Sequence, residues 1–269
     1  MKYTSDPIPQ ARQELSRLIK EAGDVIDIAH ASELLKLDRI ATAKKLARWT
    51  EQGWLRRVAK GVYVAASLDM LENDTVVSDP WVLVPALFEP AYIGGRTASE
   101  HWDMTEQIFN DIVVMTARTV RHKTQVHQGI TFSLKHIAPT KVFGTKVLWR
   151  ENTKVAVSDP HRTIIDMLDD PMIGGGIQHV ADCLSVYLNR SDRSDERLIE
   201  YADRLGNGAV FKRLGFLLER EGKNRALQAK CAERLTKGNA RLDPVMSQGK
   251  IVSRWRLVVP HNLLQGEGT

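Results

Sequence analysis

The sequence predicts an α+β chain, with an N-terminal winged helix-turn-helix domain followed by a larger mixed α/β C-terminal domain. Three observations predict it. Residues 24–66 read as strand, helix, tight turn, helix and β-hairpin; cations crowd into the second helix and the hairpin; and from Pro80 the texture changes to β-branched runs and then to amphipathic helices.

The elements of the first domain follow from local chemistry. Pro9–Ala22 is predicted helical, with Leu15, Leu18 and Ile19 on one face. Asp24–Ile28 reads as a short apolar strand, and Ala29–Leu37 as a helix offering Ala31, Leu34, Leu35 and Leu37 to a core. Asp38 suits the N-cap of a second helix, Arg39–Gln52, whose Ile40, Ala43, Leu46, Ala47 and Trp49 recur at helical spacing. Gly53 ends it. Trp54–Val58 and Val62–Ala66 are β-prone and flank an Ala59-Lys60-Gly61 turn, a hairpin in the position of a wing.

A chain of 269 residues, 43% hydrophobic, is too long for one such module. The expected division is a DNA-binding domain over 1–67, a polar and acidic linker over 68–79, and a second domain over 80–269. No apolar run approaches a bilayer span, and the start MKYTSDPIPQ lacks a signal core, so the expected location is the cytoplasm, with no membrane partner. Cys183 and Cys231 make neither a metal spacing nor a disulfide framework and read as small buried hydrophobes.

Charge points to a polyanionic partner. Between Arg39 and Lys60 stand seven cations against the single acid Glu51, and the first 67 residues carry +4 of the chain's +5. A basic helix and wing neutralise phosphates and release counterions. The candidate DNA-binding residues are Arg39, Thr42, Lys44 and Lys45 in the first turns of the second helix, Arg48 further along, and Arg56, Arg57 and Lys60 in the wing. Tyr63 either meets a phosphate or packs back on Trp54 or Trp49.

In the second domain, Trp81–Phe88 and Thr97–Met104 are predicted helices, and Tyr92–Gly94, Asp111–Thr116, Gly129–Ile137, Phe143–Trp149 and Thr153–Val157 the strands of one mixed or antiparallel sheet. Helices are expected over His161–Asp169, Ile177–Asn189, Asp195–Leu205, Ala209–Arg220 and Arg225–Thr236, then a β-like stretch over Ile251–Val259 and a loose tail. No phosphate-binding glycine loop or dinucleotide fingerprint is present. Gly174-Gly175-Gly176 follows no strand and reads as a loop. Ser158-Asp159-Pro160-His161-Arg162-Thr163 gathers reactive side chains, but adjacent positions on a starting helix converge poorly on one atom, and an N-cap followed by proline explains the same residues. His101, His122, His127 and His136 lack a metal-binding spacing, and Glu221-Gly222-Lys223 ends a helix where a nuclease motif needs a strand. No catalytic residue, metal or cofactor is expected. Residues 212–256 hold twelve Lys+Arg against four acids, either as solvated helix faces or as a surface for an anionic partner.

Several stretches together resemble the AbiEi family of antitoxins from bacterial type IV toxin–antitoxin and abortive-infection systems: AKKLARWTEQGWLRRVAKGVYV (43–64), AYIGGRTASEHWDMTEQIFNDIVVMT (91–116), VSDPHRTIIDML (157–168) and AVFKRLGFLLE (209–219). The resemblance implies a winged-helix repressor of its own operon that binds double-stranded DNA at promoter inverted repeats. It also implies a C-terminal domain that counters a cognate nucleotidyltransferase-like toxin, with no stable complex required. The wing departs from the family's more basic tip, since Ala59 precedes Lys60. Two alternatives stay open, a ligand-responsive repressor and a DNA-targeted nuclease.

Overall fold

The computed structural model describes residues 10–23, 25–66, 79–246 and 248–264. Pro9, Asp24, all but Asp79 of the expected linker, and the last residues of the expected tail lie outside this set. The N-terminal region runs α1 (Gln10–Ala22), β1 (Val25–Asp27), α2 (Ile28–Leu35), α3 (Arg39–Glu51), β2 (Leu55–Ala59) and β3 (Val62–Ala65). Strand β3 lies between β1 and β2, antiparallel to both. Leu15 and Leu18 of α1, Ile26, Ala31, Leu46, Trp49, Leu55 and Tyr63 form its buried core. Full burial of each large apolar side chain is worth about 1.5–3 kcal/mol, which is what holds helices this short in place.

Beyond a 3₁₀ turn at Pro80–Val82, the second region contains α4 (Leu83–Phe88), β4 (Ala91–Ile93), α5 (Gly95–His101), β5 (Asp111–Thr116), β6 (Thr124–His127), β7 (Ile130–His136), β8 (Thr145–Arg150) and β9 (Thr153–Ser158). The six strands form one mixed sheet in the order β6-β7-β5-β4-β9-β8. β5 and β7 are parallel although no helix joins them, because β6 supplies the return as an antiparallel neighbour outside β7. That strand was not expected from sequence.

Alternation along β5 builds both sides of the sheet. Val113 and Met115 join Tyr92 and Ile137 on one face. Ile112 and Val114 join Phe132, Val155, Val157 and the apolar face of α4 on the other. That second cluster also takes in Val25, Val58, Val62 and Val64, so the wing and the large sheet share one apolar core.

The helical layer follows: α6 (Pro160–Asp169), α7 (Ile177–Leu188), α8 (Asp195–Leu205), α9 (Gly208–Arg220) and α10 (Arg225–Ala232). The expected single β stretch is instead a small three-stranded sheet of β10 (Ala240–Arg241), β11 (Lys250–Val252) and β12 (Leu257–Val259), and a short helix α11 (His261–Leu264) follows Pro260. Asp159 caps α6 by accepting from the Arg162 amide at 2.8 Å, with Pro160 in the first turn. Inside α6, Arg162 is fully buried. Its Nε donates to Asp166 at 2.9 Å and its Nη2 to the Tyr92 hydroxyl at 2.9 Å, while that hydroxyl donates to Asp166 at 3.0 Å. Burial pushes the Asp166 carboxyl up to about 6 against the pull of the Arg162 charge.

The cation-rich stretch 212–256 turns part of its charge inward or into local pairs. Arg213 is buried and donates to the carbonyls of Leu168, Asp169, Arg241 and Leu242. Lys212 donates to Gly238 O at 2.8 Å, Arg234 pairs with Asp203 at 3.0 Å, Arg254 pairs with Glu219, and Arg256 donates to Thr236 O at 3.0 Å. Lys212, Arg213 and Glu219 thus tie neighbouring segments to α9.

Helix α9 also receives the fully buried Trp255 ring directly over Gly215, where a Cβ would overlap the ring. Gly215→Ala is therefore expected to destabilise the protein by about 1–3 kcal/mol as an overpacked core site. The shift of the urea unfolding midpoint measures it.

Candidate nucleic-acid interface

The helix-turn-helix is α2 and α3 with Lys36, Leu37 and Asp38 between them. Asp27 caps α2 by accepting from the amides of Ala29 at 2.9 Å and His30 at 3.0 Å. Lys36 closes that helix in the left-handed region at φ 53°. Asp38 caps α3, accepting from Ile40 N at 2.7 Å and Ala41 N at 2.9 Å. Gly53, at φ +74°, turns the chain out of α3 into the wing.

Three side chains set the rotation of α3. Thr42, Leu46 and Trp49 are buried beneath it. The Thr42 hydroxyl donates to Asp38 O at 2.8 Å and lies 3.2 Å from Ser32 Oγ, whose own proton goes to Ile28 O at 2.8 Å. Thr42 is consequently a lock between the two helices and is removed from the solvent-facing set in which the sequence placed it. Lys45 is also drawn back: it pairs with Glu14 of α1 and lies over the Trp49 ring at 5.4 Å.

The rest of α3 faces outward. Arg39, Lys44, Ala47 and Arg48 are exposed, and Ile40 is 71% exposed. Ile40 and Ala47 share the helical spacing of Leu46 and Trp49 in the sequence, yet both face out of the core. At about 100° per residue, Ile40 stands nine positions and half a turn from Trp49, on the opposite side of the helix. Leu37, also expected in the core, is exposed in the turn.

The wing divides its cations between two faces. Arg56 is paired in register with Val64 and Arg57 with Tyr63, and neighbours along a strand point to opposite sides. Arg56 is half-buried on the Val64 side, which packs against the second region. Arg57 and Lys60 are exposed, with Arg57 Nε donating to Ala59 O at 3.2 Å. Tyr63 is buried in the Trp49 core, which settles its role as packing.

The wing is held from behind as well. Gln128, in the turn between β6 and β7, donates to Arg57 O at 3.1 Å. His127 is half-buried and bonded to the Val58 backbone, and burial lowers its pKa. Sequence reasoning missed this contact, because nothing in a polar Gln-Gly turn marks it as an interdomain strut.

Residues 12–66 match the family described as transcriptional regulator, AbiEi antitoxin. The match covers the winged-helix region, and that region is similar to the AbiEi antitoxin regulators. Comparison with curated proteins gives no match. Among the described residues, no group of three or more His, Cys, Asp or Glu side chains is placed to hold a metal ion, and no helix is long and apolar enough to cross a membrane.

If Thr42 is a lock, Thr42→Val should lower stability by about 1 kcal/mol through the lost buried hydrogen bond. Urea denaturation reads this directly. An unchanged midpoint would contradict the role of Thr42 as a lock between the two helices.

Proposed function

We propose that this protein represses its own operon by binding inverted repeats in the promoter, and that it counters a cognate nucleotidyltransferase-like toxin. Residues 1–67 serve as the DNA reader, 68–79 as linker and 80–269 as the antitoxin domain. The observation that carries the DNA half is the outward face of α3. It presents Arg39, Lys44 and Arg48 with no acid before Glu51 at its far end, next to a wing bearing Arg57 and Lys60.

In this reading α3 enters the major groove by its N-terminal half, as recognition helices do. Lys44 lies on the central line of the outward face, within reach of base edges. Arg39 and Arg48, nine residues apart, fall on opposite flanks of the helix and meet phosphates on the two walls. Arg57 and Lys60 add phosphate contacts from the wing. Arg56 and Lys45 contribute mainly to the local field, since one is half-buried and the other is paired with Glu14. The toxin half rests on the family's antitoxin character and on the size of the second region.

Fluorescence anisotropy of the full chain on its own upstream duplex tests the DNA half. Competitor-resistant binding is expected. Arg48→Ala and Arg57→Ala should each weaken all duplexes alike and reduce the slope of log K against log salt by about 1. Upstream DNA bound no better than scrambled DNA would remove the repressor role. Co-expression with the neighbouring toxin gene tests the other half, with restored growth expected from a chain carrying both arginine substitutions.

A further inference from the structure

We infer that Ile40 reads thymine methyl groups, so that the sequence preference of α3 rests on an apolar contact at the centre of a basic rim. The inference depends on α3 being the DNA-reading helix. Ile40 is 71% exposed, yet it belongs to the first turn of a helix capped by Asp38 and rotated into place by the buried Trp49 on its opposite side. Packing does not call for an isoleucine there, because the side chain serves none of the buried clusters of the protein.

Its neighbours define what it fits. One turn further along the same line come Lys44 and then Ala47, and Ala43 lies just off it. The two alanines leave the helix backbone able to approach a surface closely. Arg39 and Arg48 flank this strip on either side, about 14 Å apart along the axis and half a turn apart around it. An apolar centre with cations on both flanks matches a major groove about 12 Å wide, whose walls are phosphates. The one apolar group that base pairs present on that floor is the C5 methyl of thymine. An apolar protein surface would leave the flanking arginines and Lys44 without counter-charges, so the rim favours the duplex.

The test uses the full chain and the upstream duplex. Each thymine in the segment protected by the protein is replaced, one at a time, by deoxyuridine, which removes only the methyl group. At one or two positions the unmodified protein should lose about fourfold in affinity, the value of one buried methyl-sized group. Ile40→Ala should bind the thymine duplex about as weakly as the unmodified protein binds the deoxyuridine duplex, and should be indifferent to the replacement at those same positions. Ile40→Val should fall between. With so little of its side chain in the core, Ile40→Ala should keep the thermal midpoint of the parent.

Sequence-preferring binding that ignores every deoxyuridine replacement would overturn the inference and leave the DNA-reading role intact. The same would follow if Ile40→Ala kept the parent's sensitivity. Absence of any preference for the upstream duplex would overturn both.

Discussion

The rotation of α3 about its own axis is the constraint on which the functional account depends. Thr42, Leu46 and Trp49 fix it by burial, and the Asp38 cap fixes where the helix begins. Once that side is committed, the outward side follows from a repeat of 3.6 residues, and the residues that meet a partner are no longer a matter of which ones are charged. Lys45 is as basic as Lys44 but is turned toward Glu14. Ile40 is as apolar as Leu46 but faces water.

A second commitment joins this helix to the rest of the chain. The wing's inner face enters the core of the large sheet through Val58, Val62 and Val64, and the β6–β7 turn grips it with Gln128 and His127. The position of the wing relative to α3 is therefore set partly by the second region, whose sheet is anchored in turn by the buried Tyr92, Arg162 and Asp166. Removing one partner of such a buried pair costs about 3–5 kcal/mol, because the remaining charge is left without a counter-charge. The winged-helix region and the larger region are consequently one packed structure as well as one polypeptide.

Much of this was legible in the sequence where a local rule acts alone. Asp38 before a periodic run, Gly53 after it and Lys60-Gly61 between two β-prone segments placed the winged helix within a residue or two. Asp159-Pro160 likewise placed the start of α6 and explained a cluster of reactive side chains as a cap. What was lost depended on direction or on distant partners. Helical spacing grouped Ile40 and Ala47 with Leu46 and Trp49, although the wheel centred on Trp49 places both opposite it. Thr124–His127 escaped notice because the inner side of this edge strand carries the polar Gln125 and His127, while its one apolar residue, Val126, is exposed. Basic residues 212–256 left solvated helix faces and a surface for an anionic partner both open, and composition does not reveal that arginines such as Arg213 serve as internal donors to loop carbonyls. Arg56 and Arg57 read as one basic pair until strand alternation put them on opposite sides of the wing.

The most direct measurement exploits the two native cysteines. Cys183 and Cys231 are both buried, and burial pushes their thiols up to about 11 and about 12, so neither competes for a maleimide at neutral pH. A single reporter thiol introduced by Ala47→Cys sits on the outward face of α3, and a control introduced by Arg17→Cys sits on exposed α1. Addition of the upstream duplex should slow labelling at position 47 several-fold, leave position 17 unchanged, and lose its effect when the duplex is scrambled. Labelling at 47 that proceeds equally fast with and without the upstream duplex would contradict the claim that this face of α3 reads DNA.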